Sequence, residues 1–215
     1  MRILFLSAAE DLMTGVVRYD QEVINGLRAF GHEVKVITPN DILVDETQNT
    51  THEKAFFLQQ ALNALRLYTP SKRRKFRGIL EAFKPDVAHM SMETSLIFSP
   101  FLAECKKSGV PSVGTQHQPI HREKSLMGMI LQLSYVLVSL FIKPLTRLIV
   151  FSETQKKSVQ QSGFSAERIA IVPNAVDHLV FSPGESAFKT NLGAKCIILY
   201  LGRFSYQKNP ELVLE

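Results

Sequence analysis

The first 38 residues, MRILFLSAAEDLMTGVVRYDQEVINGLRAFGHEVKVIT (1–38), decide the fold. The apolar run Arg2–Ser7 predicts a buried strand, and Glu33–Thr38 predicts a second strand. Between them, residues on one helical face recur at the spacing of an α-helix: Val16, Asp20, Val23, Leu27 and Phe30. Gly31 can end that helix. The chain therefore opens with a strand–helix–strand unit.

The same order continues along the chain. Further strands are predicted at Val87–Ser91, Ser112–Thr115, Arg147–Ser152 and Arg168–Val172, with helical segments between them. The runs ILFL, LIVF and IILYL are continuously apolar, as expected of strands covered on both faces. The sequence therefore predicts an α/β fold, with a doubly wound, mostly parallel sheet between two layers of helices.

A domain boundary is predicted after the sixth strand. The stretch VDHLVFSPGESAFKTNLGAK (176–195) has scattered polar residues, Pro and Gly without a core pattern, so it is interpreted as a linker with a short helix near Glu185–Asn191. Residues 1–175 form the first domain in this interpretation. The last segment, 196–215, is expected to supply the first strand, a loop and a helix start of an incomplete second domain.

Composition is ordinary for a globular protein, with 45% hydrophobic and 21% charged residues. Cys105 and Cys196 lie far apart, so we expect reduced, buried thiols in a cytoplasmic protein rather than a disulfide. The N-terminal apolar run is too short for a signal peptide and soon meets Glu10 and Asp11.

Two segments bear on partners. SKRRKFR (71–77) has five cations in seven residues, which could attract phosphates or an anionic membrane surface, although a solvated helix face is the favoured interpretation. Neither a repeated alternation of aromatic and basic residues nor a known nucleic-acid motif accompanies the run, so nucleic acid is not an expected partner. SLMGMILQLSYVLVSLFI (125–142) is uncharged but interrupted by polar residues, which favours a buried or membrane-facing helix over a spanning one.

Candidate site residues follow the strands, because ligands of doubly wound folds bind beyond the carboxyl ends of the sheet. Gly15 precedes the first helix, where backbone amides attract anions, and His117 follows the fourth strand. His121 would complete an Hx₃H metal pair, but Pro119 opposes a helix there, so no metal is expected. Arg203 and Lys208 lie in a strand–helix loop that would suit a diphosphate.

Six stretches together resemble the retaining nucleotide-sugar glycosyltransferases of family four, which have the GT-B fold. They are the opening 38 residues, KPDVAHMS, GVPSVGTQH, LIVFSETQKKSV, RIAIVPNAVDHLVFSP and ILYLGRFSYQKNPELVLE, in the order of the family. The resemblance implies a Rossmann-like, acceptor-side N-terminal domain and a nucleotide-diphosphate sugar as donor substrate, with no cofactor. The acceptor would be a sugar or a polysaccharide precursor for a cytoplasmic protein. The apolar segment 125–142 and the basic run 71–77 suggest instead a lipid or lipid-linked saccharide, with the protein peripheral at the cytoplasmic face of a membrane.

The resemblance also implies roles for individual residues. Gly15 falls in the family's glycine loop near the donor phosphates, and His117 matches the catalytic-site histidine that contacts the transferring sugar or its phosphate. Asn174 and Asp177 match a motif at the interdomain crossover. Arg203 and Lys208 match the cationic pair that holds the diphosphate, and fixed cations there would stabilise the leaving group without a metal.

This sequence departs from the family pattern in three respects. Thr14 replaces a common glycine, and Ala175 replaces the glycine of the crossover motif, which would be strained at a positive φ. The acidic pair of the family's donor-binding domain is not found, so we expect this chain alone to be incomplete and inactive. A non-catalytic fragment or binding module that needs a partner domain, and a sugar-nucleotide epimerase of the same fold, are the alternatives.

Overall fold

The computed structural model describes residues 1–7, 15–38, 41–42, 69–92, 99–117, 142–185, 187–202 and 211. The chain divides into two compact units, Met1–Asn174 and Ala175–Glu215. Each unit is described by itself below. The predicted helix at 125–142, apart from Ile142, lies outside the described residues, as do His121, Arg203 and Lys208.

The first unit is built on a parallel sheet of six strands. In chain order they are β1 (Arg2–Leu6), β2 (Glu33–Ile37), β3 (Val87–Met92), β4 (Ser112–Gln116), β5 (Arg147–Val150) and β6 (Ile169–Ile171). Their order in the sheet is β2-β1-β3-β4-β5-β6, and every neighbouring pair is parallel. The predicted doubly wound α/β fold is therefore confirmed.

Four α-helices of the first unit have their bounds in the described residues: α1 (Gly15–Ala29), α2 (Pro70–Phe83), α3 (Ser99–Lys107) and α4 (Glu153–Gln161); a short 3₁₀ helix, Ala166–Arg168, precedes β6. On one face of the sheet Ile24 of α1 packs with Ile3 and Phe5 of β1. The larger core on the other face contains apolar side chains of α2, α3 and α4: Phe76, Leu80, Phe101, Leu102 and Val159. Because β1 is covered on both sides, its continuous apolar run forms a strand.

Local signals set the ends of the helices. Gly31 has a φ of 78°, and its N–H and that of His32 donate to the carbonyls of Arg28 and Leu27, so the predicted glycine stop of α1 is present. The side chain of Ser152 accepts a hydrogen bond of 3.2 Å from the backbone N–H of Gln155 and so caps α4.

The basic run 71–77 lies on α2, and its two outer arginines face α3. Arg73 Nε and Arg77 Nη2 donate to the carboxylate of Glu104 at 2.9 and 2.7 Å, and that carboxylate is fully buried. Burial alone would raise the pKa of Glu104, but the hydrogen bonds and charges of Arg77 and Arg73 outweigh it and lower the pKa. Part of the run therefore joins two helices, while Arg74 and Lys75 are exposed.

The second unit contains one short helix in its described residues, α5 (Ala187–Asn191), within the segment predicted to be a linker. No strand is assigned to residues 196–202, and Ile198, Leu199 and Leu201 are exposed. A strand requires a paired neighbouring strand, and among the described residues no strand pairing involves residues 196–202.

The two cysteines differ in environment. Cys105 on α3 is buried, and its burial raises the pKa of the thiol to about 12. Cys196 is exposed, contrary to the expectation that both thiols are buried, because it lies in the second unit, where no described side chain is buried. Both cysteines are free.

None of the helices in the described part of the chain is long and apolar enough to cross a membrane.

Candidate functional site

The strand order places a crevice beside β1 and β3. The chain leaves β1 for β2 on one side and later returns to β3 on the other, so the connections diverge between β1 and β3. In such sheets ligands bind at this switch point, beyond the carboxyl ends of the strands. Ser7 follows β1 at this edge, and His117 follows β4.

Two histidine–hydroxyl pairs join β3 to β4 below this edge. His89 Nε2 lies 2.8 Å from Thr115 Oγ1, and Ser91 Oγ lies 2.8 Å from His117 Nε2. His89 and Ser91 alternate along β3, as Thr115 and His117 do along β4, so all four share one face of the sheet. Each histidine is therefore held by a hydroxyl of the adjacent strand.

Helix α1 covers this face through Tyr19. Tyr19 forms a hydrogen bond with Thr115, and the edge of its ring meets the ring of His117 at a centroid distance of 4.8 Å. Phe151, which follows β5, lies 5.5 Å from Tyr19 and 5.4 Å from His117 by ring centroids. Three rings therefore enclose the end of β4.

A second contact fixes α1 to the sheet. Ser7 Oγ donates a 2.6 Å hydrogen bond to the buried carboxylate of Asp20, one residue after Tyr19. The backbone N–H of Ser7 donates to the carbonyl of Ile37 at 3.0 Å, so Ser7 also continues the pairing of β1 with β2. These bonds set the position of Tyr19 relative to the crevice.

Burial keeps the two histidines uncharged. It lowers the pKa of His89 to about 4, with a smaller contribution from the charge of His117, and it lowers the pKa of His117 to about 4 as well. Burial also raises the pKa of Tyr19, and the negative charge of Asp20 adds to this, whereas the hydrogen bond with Thr115 opposes it. At neutral pH the site therefore presents neutral imidazoles and a neutral phenol.

This arrangement suits hydrogen bonding to a polar ligand rather than attraction by a fixed charge. Ser91 occupies Nε2 of His117, and within the described part of the chain no hydrogen bond reaches Nδ1. A neutral imidazole can donate or accept a proton at that nitrogen, according to its tautomer. The residue best placed to touch a ligand here is His117.

The family of this chain follows from a comparison with models of known protein families. Residues 13–178 match the model of Glycosyltransferase Family 4. The chain belongs to glycosyltransferase family 4. The comparison with curated proteins gave no significant match.

Solved structures resemble the fold of this family 4 chain at low sequence identity. Anabaena Alr3699/HepE in complex with UDP superposes with a TM-score of 0.53 and 14% identity, over 90% of this chain and 50% of that one. The lipopolysaccharide outer core galactosyltransferase WaaB gives 0.51 and 17%, over 82% and 46%. UDP-GlcNAc 2-epimerase from Methanocaldococcus jannaschii gives 0.50 and 12%, over 80% and 45%. The chain spans about half the length of these structures.

The structure places two of the residues predicted from the family in the first unit near this edge. His117 lies in the ring cluster, and Gly15 is the first residue of α1, four residues before Tyr19, or about 6 Å along the helix axis. A Cβ on Gly15 would meet no atom within 4 Å, so no described protein atom requires glycine there.

The crossover motif falls at the boundary between the units. Asn174 is exposed and ends the first unit, and Asp177 belongs to the second. The carboxylate of Asp177 accepts from the N–H of Leu179 at 2.9 Å, which gives this aspartate a structural function in a turn. Ala175 does not have a positive φ, so the strain considered for it is absent.

Sequence reasoning missed Ser91, Thr115, His89 and Tyr19. A signal for the first three is present in HMS (89–91) and TQH (115–117), because polar residues recur at every second position in two central strands, where continuous apolar runs are expected. Polar side chains on a covered sheet face need partners, and the two strands provide them for each other.

Proposed function

We propose that this chain takes part in transferring a sugar from a nucleotide-diphosphate sugar to an acceptor, with retention of configuration at the sugar carbon. The observation that carries the proposal is His117 in a family 4 chain. Its neutral imidazole follows β4 near the switch point, with one nitrogen hydrogen-bonded to Ser91. A donor substrate, rather than a metal or cofactor, supplies the reacting group.

Each of the predicted site residues would have its own role in binding the donor substrate and in the transfer. His117 forms a hydrogen bond to an oxygen of the transferring sugar or its phosphate. Gly15 lies beside the donor phosphates at the start of α1, where the helix dipole favours an anion. Arg203 and Lys208 bind the diphosphate and stabilise the charge of the departing nucleoside diphosphate. The crossover motif, Asn174 and Asp177, links the acceptor side to the donor side.

Solved structures of the same fold support a nucleotide-sugar ligand. HepE has been solved in complex with UDP-glucose, and this structure superposes on the chain with a TM-score of 0.52. WaaB is a galactosyltransferase by name. Because identity to both is below one fifth, the ligand is carried to this chain as a proposal.

Titration with UDP-glucose tests the proposal. We expect the wild-type chain to bind, and His117→Ala to weaken binding about tenfold or more, since a hydrogen bond to a charged or polar ligand is lost. His32→Ala, at the amino-terminal edge of the sheet before β2, is the matched control and should bind as the wild type does. Equal binding by the His117 variant would contradict the role given to His117.

An epimerase is the second candidate, favoured by a specific observation. The UDP-GlcNAc 2-epimerase from Methanocaldococcus jannaschii and the UDP complex of S. aureus MnaA both superpose with TM-scores of 0.50. Incubation of a full-length form, with the partner domain present, with UDP-GlcNAc and product analysis by NMR separates the two, because an epimerase changes the sugar without an acceptor.

The chain alone would bind without turnover, as a fragment or module that needs a partner domain, since it spans about half the length of the structures it matches. Transfer or epimerisation by the isolated 215 residues would contradict this part of the proposal.

We place the acceptor at the cytoplasmic face of a membrane, as a lipid-linked saccharide or polysaccharide precursor. Arg74 and Lys75 are exposed on α2, outside the pairing with Glu104, and basic residues near an anionic surface contribute about 1 kcal/mol each. Binding to anionic vesicles should fall about tenfold or more in Arg74→Gln/Lys75→Gln. The control is the double variant Lys156→Gln/Lys157→Gln, which removes two neighbouring lysines from α4. Unchanged vesicle binding in the α2 variant would refute the membrane surface.

A further inference from the structure

The hydroxyl of Ser91 is hydrogen-bonded to His117, and this bond decides which ring nitrogen of His117 carries the proton. Ser91 is fully buried on β3, and its Oγ lies 2.8 Å from Nε2 of His117. Among the described residues no other hydrogen bond is formed by that hydroxyl. We propose that Ser91 donates its proton to Nε2 and so holds His117 as the Nδ1–H tautomer, which makes Ser91 the positioning residue of this site.

The direction of the hydrogen bond follows from the two possible donors. If Nε2 carried the proton, it would donate to Ser91 and the buried hydroxyl proton would lack an acceptor in the described part of the chain. A buried donor without an acceptor keeps the full cost of its desolvation, whereas an oxygen with an unused lone pair is tolerated more often. The arrangement that satisfies both groups has Ser91 as donor and Nε2 as acceptor.

The imidazole is also held in place on its other sides. The backbone N–H of His117 donates to the carbonyl of Met92 at 3.2 Å, which continues the pairing of β3 with β4 past the strand end. The rings of Tyr19 and Phe151 lie against the imidazole at 4.8 and 5.4 Å. These contacts restrict rotation of the ring, so the bond to Ser91 is kept and the assignment of the proton is stable.

The tautomer decides whether Nδ1 of His117 donates a hydrogen bond to a ligand or accepts a proton from it. With the proton on Nδ1, a neutral His117 donates a hydrogen bond to a ligand oxygen, such as a phosphoryl or sugar hydroxyl oxygen. With the opposite tautomer, Nδ1 would present a lone pair and accept a proton instead. Burial lowers the pKa of His117, so its imidazole is neutral at neutral pH and carries a single ring proton, on either Nδ1 or Nε2. Only the identity of the ligand rests on the function proposed above.

Nitrogen NMR tests the tautomer without any ligand. In the ¹⁵N-labelled chain at neutral pH, long-range ¹H–¹⁵N spectra should show His117 with a protonated Nδ1 and an unprotonated Nε2. Ser91→Ala should reduce the Nδ1–H population, and Ser91→Thr, which keeps a hydroxyl, should restore it. Ser112→Ala removes a buried serine at the opposite end of β4 and is the control that should change nothing at His117.

The outcomes separate this proposal from the proposed function. A protonated Nε2 in the wild type, or an unchanged tautomer in Ser91→Ala, overturns the role proposed for Ser91. The wild-type measurement decides even if the alanine variant fails to fold.

UDP-glucose is the probe for the ligand step, where Ser91→Ala should weaken binding about tenfold and Ser91→Thr should not. Failure of the wild type to bind UDP-glucose would refute the donor class while the spectra still decide the tautomer. Full binding by a Ser91→Ala chain with an altered tautomer would refute the use of Nδ1–H as donor.

Discussion

At the residue scale, His89 links the interior of the site to the pH dependence of stability. Its side chain is 8% exposed and is paired with Thr115 and stacked on Phe5, and burial lowers its pKa to about 4 from the ordinary 6.5. Between these two values the unfolded chain binds a proton that the folded chain does not. Stability contributed by neutral His89 is therefore present above about pH 6.5, falls with decreasing pH and is lost below about pH 4.

Unfolding by urea between pH 7 and pH 4 measures this effect. The wild type should lose on the order of 3 kcal/mol more than His89→Gln over that range, because the amide cannot take up the proton. His117→Gln should reduce the pH dependence in the same direction, since burial lowers the pKa of His117 too. Stability curves of the wild type and His89→Gln that run parallel from pH 7 to pH 4 would contradict the assignment.

At the element scale, Glu104 controls how α2 packs on α3. The carboxylate of Glu104 is 0% exposed, whereas the side chains of Arg73 and Arg77 are 34% and 48% exposed. The arginines can therefore return to water if the carboxylate is removed, but the carboxylate cannot do so if they are removed. Arg73→Gln/Arg77→Gln should cost more stability than Glu104→Gln, about 3–5 kcal/mol, because it leaves the buried carboxylate with no charged partner nearer than the ammonium of Lys107 at 3.8 Å.

Urea unfolding of three variants tests this asymmetry. Glu104→Gln should cost less than the double arginine variant, and the triple variant should recover part of the loss. Because the pKa of Glu104 is lowered in the folded chain, its contribution is present above the ordinary carboxyl pKa and is lost as the pH falls through the lowered value. Equal costs for Glu104→Gln and for the double arginine variant would show that burial of the charge does not dominate.

The elements also show what a sequence can and cannot specify. The apolar run of β1 and the helical spacing of α1 are local, so their sequence placed both within one or two residues of the observed bounds. The run at 197–201 has the same local character, but the described residues form no strand pairing with it, and a local pattern does not contain that information.

The candidate site also has a part that the sequence predicts and a part that it does not. His117 could be predicted because it follows a strand at the carboxyl edge of the sheet. Its pairing with Ser91 could not, because that contact depends on the register between β3 and β4, in which Met92 aligns with Gln116.

At the scale of the whole molecule, the two units differ in what holds them together. The complete sheet lies in residues 1–174. No described residue after 174 has a buried side chain, and the last buried apolar residue along the described chain is Ile169. Burial of apolar surface provides most of the free energy of folding, at about 25 cal/mol per Å². The first unit therefore contains the described side chains that stabilise the fold.

Residues 1–174 should accordingly fold on their own. We expect their free energy of unfolding to lie within about 0.5 kcal/mol of that of the full chain, as for changes outside the core. Urea unfolding measures this, and overlaid ¹H–¹⁵N spectra should show the signals of the sheet residues at unchanged positions. Residues 1–146, which lack β5 and β6 with the fully buried Leu148 and Val150, are the matched control and should not fold. A 1–174 fragment that loses more than about 2 kcal/mol would show that the second unit contributes to the stability of the first, since a loss of that size requires removal of core contacts.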